Sequence, residues 1–149
     1  MWNKTMLFLC FWMLISLQYA CKKKGCTDEL ALNHNMAEID DGSCQFSRSV
    51  FYKSADNFNG DAISRIEIYG NHPKETSRLL SGSIDRIYAA GELNCSSPGT
   101  ATYDFEDSRK FEWNALIFTA ANDSVATYVK SGVIEPSSSI ECIRIDIIK

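Results

Sequence analysis

Beyond Ser49 the chain is a succession of short runs rich in Val, Ile, Thr, Tyr and Phe, and their period of two restricts the fold more than any other feature. The runs cover 49–55, 62–70, 83–91, 100–106, 111–120, 124–135 and 139–149, with Gly, Pro, Asn, Asp and Ser between them. Ile143, Ile145 and Ile147 share one face of an extended strand and Arg144 and Asp146 the other. Ala101, Tyr103 and Phe105 likewise oppose Thr102, Asp104 and Glu106. Alternation of this kind gives each strand one buried and one wet face. Seven such runs at roughly 8–15-residue spacing predict a mainly β fold, an antiparallel two-layer sandwich rather than a βαβ fold.

The first twenty residues read differently. Lys4 lies in a short positive segment, Met6–Leu17 is an apolar core of 12 residues, and Ala20 is a small residue before the pattern breaks. As a helix that core would span only about 18 Å against the roughly 30 Å of bilayer hydrocarbon, so it predicts an export signal over 1–20 rather than a spanning anchor. An amphipathic helix of a cytosolic domain would need a wet face, and Ser16 is the only polar residue of the core. A signal peptidase that leaves a free N-terminus prefers small residues at −3 and −1, and Gln18 stands at −3. Ala20-Cys21 instead resembles a lipobox, the site at which lipoproteins are cut before a cysteine that receives a lipid. Gln18 departs from it, an aliphatic residue being usual there. On this reading Cys21 is the lipidated residue and the chain's membrane-lipid contact, and 21–25, with Lys22, Lys23 and Lys24, forms a basic tether.

Cys10 leaves with the signal and Cys21 is acylated, so Cys26, Cys44, Cys95 and Cys142 remain, an even number that suits an oxidising compartment. Three pairings are open, and the local one, Cys26 with Cys44 and Cys95 with Cys142, is the most economical because each pair lies in a compositionally distinct region. None of the four shows CxxC spacing, and His34 and His72 are not spaced as a ligand pair, which argues against zinc.

Residues 25–46, "GCTDELALNHNMAEIDDGSCQF", resemble the cysteine-bounded motif GCTDxxAxNYxxxAxxDDGSCxY of secreted and outer-membrane proteins of Bacteroidota-type bacteria. Gly25, Cys26, Thr27, Asp28, Ala31, Asn33, Ala37, Asp40, Asp41, Gly42, Ser43 and Cys44 match, while His34 and Phe46 stand where the motif has tyrosine. The resemblance implies an extracytoplasmic module over 26–46 closed by Cys26–Cys44, with no enzymatic activity attached. From the residues themselves, Thr27 and Asp28 can cap a short helical turn, and Asp41-Gly42 can make a tight one. Asp28, Asp40 and Asp41, with Asn33 and Asn35, are also oxygen donors and so weak calcium candidates, but the alternating ligands and terminal glutamate of an EF-hand are missing.

The remainder, 47–149, contains "GELNCSSPGTATYDF" and a late Cys142, and it resembles a family of small Bacteroidota lipoprotein domains through Cys95, Pro98, Gly99, Thr100, Ala101, Tyr103 and Cys142. It departs at 107–109, where that pattern has a glycine turn, and in lacking a late tryptophan. The resemblance implies an immunoglobulin- or transthyretin-like sandwich and nothing catalytic.

No GxSxG, HExxH or phosphate-binding loop occurs. His72 lies in a loop-like stretch, "GNHPKET", and Asp104 and Glu106, about 7 Å apart on one face of a strand, read as a wet sheet face rather than an acid–base pair. Phe111 and Trp113 share a face and Phe118 has the opposite parity, so the first two are expected in the core rather than on a sugar-stacking platform. The net charge of −4, without a basic stripe, speaks against nucleic acid. These readings converge on a lipid-anchored, non-enzymatic binding or structural module of the envelope, facing the periplasm from the outer membrane because lysines rather than acids follow Cys21. They assign it no cofactor and an envelope protein or glycan as possible partner. The alternatives are a hydrolase or enzyme accessory, a calcium- or carbohydrate-binding adhesion module, and a secreted eukaryotic chain glycosylated at Asn94 or Asn122.

Overall fold

The computed structural model describes residues 22–72, 75–79, 83–89, 91–107 and 109–149; the expected signal over 1–20, and Cys21, lie outside them. All regular elements among the described residues are strands: β1 (Lys24–Gly25), β2 (Ile39–Asp40), β3 (Arg48–Tyr52), β4 (Asn57–Phe58), β5 (Asp61–His72), β6 (Glu75–Leu79), β7 (Ala101–Asp104), β8 (Phe111–Thr119), β9 (Tyr128–Ile134) and β10 (Cys142–Asp146). The expected mainly β fold is present.

The strands form three sheets. β1, at the end of the basic tether, and β2, in the cysteine-bounded module, make a small parallel pair. β10, β3 and β7 form a three-stranded sheet with β3 in the middle, and β4, β5, β8 and β9 form a larger one in which β6 also pairs with β5. The larger sheet is antiparallel throughout. In the smaller one β3 is antiparallel to β7 but parallel to β10, which departs from the all-antiparallel expectation. The physical reason is that β9, not β10, takes the hairpin place beside β8, so the chain crosses over between Ile134 and Cys142 and returns in the direction of β3.

The two larger sheets share one core. Phe51 of β3, Ala101 of β7 and Ile143 and Ile145 of β10 meet Ile66 and Ile68 of β5 and the row Phe111, Trp113, Ala115 and Ile117 of β8. Each of the buried phenylalanine and isoleucine side chains among them, Phe51, Ile66, Ile68, Phe111 and Ile117, contributes about 1.5–3 kcal/mol relative to exposure. The expected faces hold: Ile143 and Ile145 reach this core while Arg144 stays exposed, and Phe105 is buried while Asp104 and Glu106 are exposed.

Two sequence expectations change. Among the described residues the run 83–91 forms no strand, and its Ile87 makes an isolated parallel bridge to Lys53, just past the end of β3. Its apolar residues serve two layers instead, Ile84 entering the main core while Tyr88 packs with Leu93 against Val50 and Tyr52 on the outer side of β3. That segment therefore covers the three-stranded sheet, and Val50, Phe51 and Tyr52 are all buried because β3 is covered on both faces. The stretch "GNHPKET", read as a loop, instead contains the end of β5 and the start of β6, with His72 opposite Glu75 in register. Glycine, asparagine and proline suggested a loop, but the β5–β6 ladder runs up to His72 and Glu75.

Candidate functional site

The cysteine-bounded module is built from turn chemistry. Cys26 and Cys44 form a disulfide with Cα atoms 4.7 Å apart. At its entrance the Asp28 carboxylate accepts the Leu30 N–H at 2.9 Å and the Asp28 carbonyl accepts the Ala31 N–H at 3.1 Å, so the expected helical turn is a single reversal. At its exit Asp40 accepts the Gly42 N–H and Asp41 the Ser43 N–H, each at 3.0 Å, and Gly42 has φ +75°. The Ser43 hydroxyl and N–H hold the Asp41 carboxyl below its ordinary pKa. Asn33 clamps the two ends together: its amide donates to the Ser43 carbonyl at 2.7 Å and its oxygen accepts the Gln45 N–H at 2.8 Å. Ala31 and Cys26 are fully buried at the centre.

Asp28, Asp40 and Asp41, the calcium candidates, thus each bind the backbone two residues ahead. No cluster of three or more acidic, histidine or cysteine side chains able to hold a metal occurs among the described residues. His34 lies inside the same loop with its Nδ1 buried and without a hydrogen bond among the described residues.

The second disulfide, Cys95–Cys142, joins the covering segment to the start of β10, and both cysteines pack against Val50, Tyr52 and Leu93. Both pairings match the economical reading of the sequence.

Between the module and the three-stranded sheet lies a cleft of about 730 Å³. Leu32 and Gln45 line it from the module, Phe46 and Arg48 from the approach to β3, and Asn94 and Glu141 from the two sides of the second disulfide, which also faces it. Ser47 is fully buried beneath: its hydroxyl accepts the Ser137 N–H at 3.1 Å and its carbonyl the Phe105 N–H at 3.3 Å. Arg48 bridges from β3 to β7 and gives the Asp104 carboxylate two hydrogen bonds, one of them 2.9 Å from Nη2 to Oδ2. This hydrogen bonding, with the charge of Asp104, raises the Arg48 pKa above its ordinary value. Both side chains stay substantially exposed, so the pair is available to a ligand and adds little to stability. The cleft combines an apolar side, Leu32 and Phe46, with a fixed cation, two carboxylates and amide groups. Such a surface can hold an extended polar chain by hydrogen bonds while covering an apolar group.

Cys95, Cys142 and Asp104 are brought together here. The sequence did not single out Arg48, Gln45 or Glu141, because a lone charged residue at a strand end carries no signal until the neighbouring strand and the module are placed beside it. Asp104 is engaged by Arg48 rather than by Glu106. Phe111 and Trp113 are buried as expected, and Phe118 lies on the opposite face beneath the Arg65 guanidinium, 3.8 Å from its ring centre, so the three rings form no common platform.

No helix among the described residues is long and apolar enough to cross a membrane. No family model, curated protein or solved structure matches the chain.

Proposed function

We propose that this chain is a lipid-anchored, non-enzymatic envelope protein that binds an extended partner, a peptide segment or a glycan, in the cleft between its cysteine-bounded module and its β-sandwich. The anchoring part of this reading rests on the lipobox-like Ala20-Cys21 at the end of an apolar segment, followed directly by a module closed by a disulfide. The family part rests on the motif carried by 25–46 and on the pattern leading to Cys142, with a sandwich of the immunoglobulin or transthyretin type. Periplasm-facing attachment to the outer membrane completes it.

The observation that carries the binding function is the cleft itself, because it is walled by three separate parts of the chain, and disulfides fix two of them. Rigid walls lower the ordering cost of holding a ligand. Mass spectrometry of the mature protein tests the anchor: an acylated N-terminal Cys21 supports it, and an unmodified start at another residue overturns it. A photo-crosslinking residue at Glu141, used in the native envelope, tests the cleft. A discrete adduct that Arg48→Glu weakens about tenfold supports it, a loss of charge-assisted bonding of about 1.4 kcal/mol. The absence of any adduct from Glu141 overturns it.

A further inference from the structure

The lysines after Cys21 read from sequence as a flexible leash, but the structure fastens them to the module. Lys24 and Gly25 pair with Ile39 and Asp40. The Lys23 carbonyl accepts the Glu38 N–H at 2.9 Å and the Ile39 N–H at 3.3 Å, and the Lys23 ammonium donates to the Asn35 carbonyl at 2.6 Å. Asn35 is held from its other side, its N–H donating to the Cys26 carbonyl at 3.3 Å and its side chain filling the space where Gly25 lacks a Cβ.

Between these fixed points stands Met36. It has φ +52°, a left-handed conformation that costs a side-chain-bearing residue about 1–2 kcal/mol. It is 84% exposed, the most exposed large apolar side chain described, and Ile39 on the adjoining strand is also exposed. A loop pinned on both sides thus holds a long, flexible apolar side chain out into the surroundings.

We propose that this loop docks on the bilayer, with Met36 inserted among the lipid headgroups and Ile39 beside it. The proposal rests on the lipid-anchor reading of Cys21. Its argument is reach: only Lys22 lies between Cys21 and Lys23, two backbone steps of at most about 7 Å in all. The Lys23 carbonyl accepts the Ile39 N–H, so acylation at Cys21 would keep the 35–39 loop close to the membrane surface. Lys22, Lys23 and Lys24 are more than offset by Asp28, Glu29, Glu38, Asp40 and Asp41 of the same module, so no net positive charge draws the loop to an anionic surface; the attraction is apolar and the occupant is a zwitterionic interface.

The test separates this surface from the anchor reading by supplying the lipid chemically. In the chain starting at Cys21 the other four cysteines are in disulfides, so the Cys21 thiol alone can be coupled to a maleimide phospholipid. Trp113, the only tryptophan of that chain, is buried. Met36→Trp therefore adds one reporter at the loop, and Ile39→Trp supplies a second should the first substitution disturb the turn. In vesicles of phosphatidylcholine brominated high on the acyl chains, the added tryptophan is expected to lose about half its emission, since an indole at this depth sits within contact of the bromines. Emission unchanged in both variants overturns the docking, whatever mass spectrometry reports about Cys21 in the cell.

Discussion

Two glycines fall inside the expected strand runs and stay in the ladders. Gly70 on β5 and Gly132 on β9 both lie opposite Trp113. A Cβ on Gly132 would stand 2.8 Å from the Trp113 indole, and one on Gly70 would stand 2.0 Å from the Phe111 ring. The row Gly–Trp–Gly across the sheet makes room for rings that pack on Phe51 and Tyr103, with Phe51 edge-on to Trp113 at 5.3 Å and Tyr103 stacked on Phe111 at 3.7 Å. Gly132→Ala is expected to cost about 1–3 kcal/mol through overpacking, read as a lower denaturant midpoint at unchanged m. Substitution at Gly91, where an added Cβ would meet nothing within 4 Å among the described residues, is the control and should leave the midpoint nearly unchanged. The apolar alternation around Trp113 was legible in the sequence. The need for glycine on either side of it was not, because it arises from ring size and cross-strand register.

At the scale of elements, the disulfides close loops of different reach. Cys26–Cys44 spans 18 residues and Cys95–Cys142 spans 47. The chain-entropy relation puts their contributions at about 3 and about 4 kcal/mol. Their consequences should differ in place as well as size. Replacing Cys26 and Cys44 by serine is expected to free the module's amides to exchange while those of β5 and β8 stay protected. Replacing Cys95 and Cys142 should loosen the segment that covers Val50 and Tyr52, and with it the three-stranded sheet. Hydrogen exchange distinguishes the two, and uniform loss of protection in both variants would show that the layers are not separable. The pairing was the economical one among three in the sequence. The covering role of 83–99 was hidden, because a segment that places Ile84 in one cluster and Tyr88 and Leu93 in another shows the same apolar spacing as a strand.

For the whole molecule, the module and the larger core meet through few residues. Among the described residues, Phe46 is the one apolar side chain of the segment 26–46 that packs against the main cluster. Ser47 then locks the approach to β3 by its bonds to Phe105 and Ser137. A chain beginning at Phe46 is therefore expected to unfold cooperatively with its Trp113 near-ultraviolet signal intact, whereas one beginning at Arg48 should melt at a lower temperature by several degrees, having lost about 1–3 kcal/mol. Equal midpoints for the two truncations would remove Phe46 and Ser47 as the joint. The cleft depends on that joint, since Leu32 and Gln45 reach it only when the module is held against β3.

The sequence by itself determined the β class, the faces of most strands and the turns of the module, because period-two alternation and Asp-Gly chemistry act over a few neighbouring residues. Tertiary structure alone decided the parallel placement of β10, the use of 83–99 as a cover, the Arg48–Asp104 bridge and the cleft beside it. These join residues dozens of positions apart, and their energies appear only once the sheets share a core. The lysines after Cys21 show the same division: their charge was plain in the sequence, but their bonds to Asn35, Glu38 and Ile39 exist only in the fold.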